Sequence, residues 1–161
     1  MEPMDISSRL EFAAPPADVY AMLTNQGYLE EVCVASRSIS YEASVDGNVT
    51  RTSRGLPAPE SAARFTGPVL TVLDETTWGG AEGDGSRTAD VRLSVKGQPV
   101  TMKAAMRLVP SGVGTEITLT GELKVNIPLF GKKMEQASAP AVLAGFRTQQ
   151  QVGNDWLSRS Q

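Results

Sequence analysis

Few side chains in this chain are able to move a proton near neutral pH. Histidine is absent from the 161 residues, which removes the commonest general base and the commonest metal ligand together. An acid or base would have to come from Tyr41, Asp74, Glu75 or Glu116, and none of these has a recognisable partner by spacing. Carboxylates on strands that alternate with apolar residues normally face water, so no catalytic residue is assigned. Cys33 is the single cysteine, which excludes an intrachain disulfide and a cysteine metal cluster; no metal and no cofactor are expected. The glycine-rich GGAEGDGS at 79–86 lacks the Gly-Lys-Ser/Thr ending of a phosphate cradle and does not open a helix, so it reads as a turn. Arg51, Arg54 and Arg64 flank a proline-rich stretch, and the guanidinium fork suits a ligand carboxylate; Arg51 is taken as a site residue.

With 40% hydrophobic and 20% charged residues the composition is that of a soluble globular protein, and the length suits one domain spanning 1–161. The net charge is −3. Lysines and arginines are scattered, with Lys132-Lys133 read as surface charge, so no nucleic-acid partner is expected. MEPMDISSRLEF lacks a basic segment followed by an apolar stretch, so no signal peptide is expected, and no apolar run reaches the ~20 residues of a spanning helix. The expectation is a cytoplasmic protein without integral membrane association, with at most a weak homodimer.

The elements that must position any site follow from periodicity. Met4, Ile6, Leu10 and Phe12 alternate with polar residues as a half-buried strand. Pro16-Ala17-Asp18 then opens a short helix with Val19, Tyr20, Met22 and Leu23, and residues 28–33 form a second. Ile39 to Val45 is a strand, Asp46-Gly47-Asn48 a hairpin turn, and Val49 to Gly55 the return strand. Residues 56–68 read as a proline-rich loop whose Leu56 and Phe65 pack on something. Strands follow at 69–78, 88–96, 100–108 and 116–125, and after Pro128 a long helix runs to the C-terminus. The fold class is α+β: a curved seven-stranded antiparallel sheet wrapped around the terminal helix, with two short helices after strand one.

Projecting that helix at about 100° per residue puts Phe130, Met134, Ser138, Ala141, Val142, Gly145, Gln149, Val152 and Trp156 on the sheet side. Lys132, Gln136, Arg147, Gln150, Gln151, Asn154 and Asp155 fall opposite, and Pro140 should kink the axis. The sheet side is bulky at its ends and small in its middle, and the facing strands offer Ala43, Ala89, Ala104 and Gly121. Small facing small predicts a cavity. Its expected ligand-binding residues are Tyr41, Arg51, Met102, Met106, Phe130, Met134, Ala141, Gly145 and Gln149. Tyr41 brings a hydroxyl, the methionines adaptable surface, and Gln149 a hydrogen-bonding group. The mouth is expected where the 56–68 loop, 96–99 and 126–130 meet.

The order of elements, with MDISSRLEFAAPPADVYAMLT at the front and IPLFGKKMEQ…GNDWL at the back, resembles the helix-grip fold of the START-like (SRPBCC) superfamily, and within it an uncharacterised actinobacterial branch. The resemblance rests on Pro-Ala-Asp-Val-Tyr opening the first helix and on Gly131, Glu135 and Trp156-Leu157 in the last. It implies non-catalytic binding or transport of a hydrophobic small molecule, a lipid, sterol or polyketide, between sheet and helix. A polyketide cyclase/dehydratase-like enzyme using the same cavity is the alternative, and a pure interaction module the third reading.

Overall fold

The alternation at the start of the chain forms β1 (Met4–Phe12), and Pro15 and Pro16 end it. Pro16 then opens α1 (Pro16–Leu23), at a position where a backbone N–H would have no helical partner anyway. Asn25 caps α2 (Gln26–Ala35), its side chain accepting from the N–H groups of Gly27 and Tyr28, so the second helix starts earlier than its apolar residues suggest. β2 (Ser40–Asp46) and β3 (Val49–Pro57) form the hairpin around Gly47, whose φ of 60° is the left-handed value this turn requires. In the computed structural model, residues 3–58, 60–112 and 114–159 are described, without the side chains of 61, 62 and 65.

The connection read as a loop contains α3 (Glu60–Thr66). Its residues are mostly good helix formers, with Glu60 in the first turn and Arg64 in the last to complement the helix dipole; the neighbouring prolines obscure this in the sequence. The expected packing of Phe65 lies outside the described side chains. β4 (Val69–Trp78), β5 (Arg87–Val95), β6 (Val100–Ser111) and β7 (Gly114–Val125) complete a sheet ordered β1-β7-β6-β5-β4-β3-β2, antiparallel throughout. α4 (Gly131–Arg159) lies across it.

Register decides which side chains face the helix. Met102 pairs with Leu123 and Ala104 with Gly121, which pairs in turn with Ile6, so these residues share the inner face. A β-carbon on Gly121 would stand 2.5 Å from the Ala104 β-carbon, so the small residues there serve a close approach of strands rather than open space. Ala89 and Ala104 are likewise buried in the core with Leu10, Phe12, Val91, Leu108, Ile117 and Leu119.

α4 departs from the expected phase. Its buried residues are Gly131, Glu135, Ala139, Phe146, Gly153 and Leu157. Each of the six lies a single position after a residue projected to face the sheet, a rotation of about 100°. Gly153 sets this seat, because a β-carbon there would stand 2.5 Å from Phe12 Cε1. Gln150 and Asn154, expected to face solvent, instead satisfy the open edge of β1. Gln150 Oε1 accepts from Glu11 N–H at 2.8 Å, Asn154 Oδ1 accepts from Ala13 N–H, and Asn154 Nδ2 donates to the Glu11 carbonyl. Edge strands leave backbone groups that a neighbouring element must cover, and here helix amides do so. At the other end Glu135 Oε2 accepts from Val125 N–H at 2.9 Å, tying α4 to the end of β7. Pro140 lies inside the helix and cannot donate a hydrogen bond to the preceding turn.

Candidate functional site

The rotation of α4 leaves its expected sheet side flanking a cavity of about 430 Å³. The walls are Leu56, Leu70, Val72, Leu93, Val95, Val100, Leu123 and Val125 from the sheet, and Met134, Ser138, Ala141, Val142, Gly145 and Phe146 from the helix. Space of this size, mostly apolar with a few polar groups, has the character of a small-molecule site. A β-carbon on Gly145 would meet nothing within 4 Å, which marks the middle of α4 as its thin wall. Pro57, Ala137 and Ala141 are exposed where they border the cavity. Thr66, Gln98 and Ile127 also border it, so the three segments expected at a mouth do meet there.

Behind the cavity lies a second space of about 60 Å³, walled by Leu23, Tyr28, Cys33, Thr50, Thr76, Trp78 and Met106 among others. Arg54, Asp74 and Gln149 border both spaces. Thr52 pairs with Asp74 and Arg54 with Val72, so Arg54 and Asp74 are diagonal neighbours on the inner face, within reach of a long side chain. Burial pushes the Asp74 carboxyl above its usual range, while the Arg54 guanidinium and the Thr76 hydroxyl, 3.3 Å away, pull the other way. Burial likewise pushes the Cys33 thiol up; nearby Arg54 opposes this and Asp74 reinforces it. Tyr28, also raised by burial, donates its hydroxyl hydrogen to the Gln149 carbonyl at 2.9 Å.

Arg54 is poorly partnered for a half-buried cation. Its Nη1 is 3.4 Å from Ser36 Oγ, its Nε is buried without a hydrogen-bond partner, and among the described residues no carboxylate forms an ion pair with it. Most buried polar groups are satisfied, so this guanidinium is an exception in the wall of a cavity.

Of the residues singled out in the sequence, Met134, Ala141, Gly145 and Gln149 border the large cavity, and Met106 borders the small one. Met102 is 1% exposed and packed in the core. Phe130 is 49% exposed, and it is absent from the cavity wall. Tyr41, on edge strand β2, is 39% exposed and borders a separate open groove together with Arg51. Arg51 pairs through Nε with Glu75 Oε2 at 2.7 Å. Residues 51 and 54 differ by an odd number along a strand, so they face opposite sides of the sheet, and the inward arginine is Arg54. Asp74, expected to face water, turns inward with Val72, Thr76 and Trp78; that strand parity is the signal that could have found it. Glu116 pairs with Arg9 at 2.8 Å. Among the described residues no group of three His, Cys, Asp or Glu side chains could hold a metal ion, and no helix is long and apolar enough to cross a membrane.

Solved structures share this architecture. The protein TTHA0849 from Thermus thermophilus is 17% identical, with a TM-score of 0.66 over 98% of this chain and 99% of that one. The di-domain ARO/CYC StfQ of the steffimycin biosynthetic pathway is 11% identical, with a TM-score of 0.66 over 99% of this chain and 52% of that one. Human STARD10 is 12% identical, with a TM-score of 0.63 over 99% of this chain and 69% of that one. At such identities the likeness is one of fold, and the fold is the START-like helix grip. No curated protein matches the chain. The family described as protein of unknown function, DUF2505, matches residues 7–157, and the chain belongs to that family.

Proposed function

We propose that this protein binds a hydrophobic small molecule in the space between sheet and α4. The observation that carries the reading is the cavity itself, about 430 Å³ with aliphatic walls, in a fold whose interior would otherwise pack to crystal-like density. Candidate contacts are Met134, Ala141, Gly145 and Gln149 on α4 and Leu56, Val72, Leu93 and Leu123 on the sheet. Native mass spectrometry of protein purified from its own host should show an apolar adduct, and a neutral dye such as aminoanthracene should fluoresce on binding. Clean apo spectra together with no dye response would refute the reading. So would dye binding that is indifferent to Gly145→Leu, which places bulk where a β-carbon meets open space.

A second reading, a cyclase- or dehydratase-like enzyme, draws on Asp74. An enclosed carboxyl with a raised pKa, bordering the cavity beside a guanidinium, is suited to hold a proton for transfer. NMR titration of the Asp74 side chain decides it: an ordinary carboxylate midpoint would remove the proton donor on which this reading depends.

A further inference from the structure

One end of the cavity differs chemically from its walls. Ser36, Arg54, Asp74 and Gln149 border it together there, whereas the facing walls of sheet and α4 are largely aliphatic. We infer that this end is a head-group site for a hydrophobic molecule bearing a carboxylate, with Arg54 as the cation that receives it and Gln149 and Ser36 as neutral neighbours. The inference rests on the cavity-binding reading and adds the chemical class of the ligand.

The guanidinium has five N–H donors in a planar fork. Here a single long contact to Ser36 Oγ is its only hydrogen bond among the described residues, and Nε is enclosed without an acceptor. Leaving an enclosed N–H unmet is costly, and an entering carboxylate supplies two acceptor oxygens of matching geometry. Asp74 does not fill this role, since no ion pair joins it to Arg54 although the two charges act on each other. An amine head would require Asp74 to be ionised and Arg54 to be turned away or neutralised by another group. Burial, which disfavours the ionised form of this carboxyl, works against that arrangement. The aliphatic tail then extends toward the rim at Pro57 and Ala141, where the cavity meets solvent.

Matched probe pairs test this: dodecanoate against dodecanol and dodecylamine, and anthracenecarboxylate against anthracenemethanol, each displacing aminoanthracene from the full chain. The acid of each pair should bind about tenfold or more tightly than its alcohol, the size of one charge-assisted hydrogen-bonded contact. Arg54→Gln should erase that preference while leaving alcohol binding within about threefold, and Arg54→Lys should restore part of it because the charge returns. A preference confined to one pair would still support the site and would identify a flexible or a planar scaffold. Alcohols binding as well as acids to the wild type would overturn the head-group site while the cavity reading stands. Dodecylamine binding best, with loss in Asp74→Asn, would overturn it in favour of a cationic head. Failure of every probe to displace the dye would likewise overturn it. Failure of the dye to bind at all would remove the cavity reading with it.

Discussion

Gly145 and Gly153 sit about two turns apart on α4 and meet opposite surroundings. A β-carbon on Gly145 would touch nothing within 4 Å, whereas one on Gly153 would stand 2.5 Å from Phe12 Cε1 and 3.0 Å from Met22 Cε. One glycine thins the wall of a cavity; the other lets the helix seat against β1 and α1.

The two should therefore respond oppositely to alanine. Gly153→Ala is expected to destabilise by about 1–3 kcal/mol, the usual cost of overpacking. Gly145→Ala should stabilise by up to about 1 kcal/mol, because alanine is the better helix former and no neighbour obstructs it. Urea denaturation of both variants checks the contrast, and equal effects would contradict the described seating of α4.

Filling should block binding without unfolding. Gly145→Leu adds apolar bulk toward the cavity, so the affinity for aminoanthracene should fall about tenfold or more while the urea midpoint stays within the range of the alanine variant. A reduction of that size corresponds to about 1.4 kcal/mol of lost contact.

Glu135 is 2% exposed, and its Oε2 accepts from Val125 N–H. Glu135→Ala strands a buried donor and should cost about 1–3 kcal/mol. Glu135→Gln keeps an acceptor oxygen at the same reach and should lose less. Denaturation curves that fail to separate the two variants would show that the carboxyl is not acting as an acceptor there.

Asp74 gives a pH signature. Its folded-state pKa lies above the usual 3.8 because burial disfavours the ionised form. Between the unfolded and folded values the native state holds more protons, so this group's contribution to stability is complete below 3.8 and is lost as pH rises through the folded value. Asp74→Asn cannot ionise, and its stability relative to wild type should rise across that window and then level off. A relative stability that falls with increasing pH would reverse the sign and contradict the burial of this carboxyl.

Period-two alternation makes every strand legible, because one face of this sheet is buried and the other wet, as Met4 to Phe12 illustrates. The proline-rich stretch conceals α3 because its flanks carry turn residues while its own seven residues lack a readable apolar stripe. The projected phase of α4 differs from the observed one by a single position. Small residues on that helix have two causes, close packing at Gly153 and open space at Gly145, and hydrophobicity alone does not separate them. Gln150 and Asn154 look like solvent-facing residues for the same reason: amides that cap a strand edge and amides that meet water are the same residue types.

What the amino-acid order determined by itself was local: where the seven strands and the terminal helix lie, that the sheet has one apolar face, and that the terminal helix is too slight in its middle to cover that face. Those features follow from side-chain period and size, which are properties of neighbours along the chain. The tertiary structure decided which residues meet across the cavity: Arg54 rather than Arg51, Asp74 inside rather than outside, Gly145 open and Gly153 filled. Those choices depend on strand register and on the rotation of a helix about its own axis, and both are settled by contacts between segments far apart in sequence.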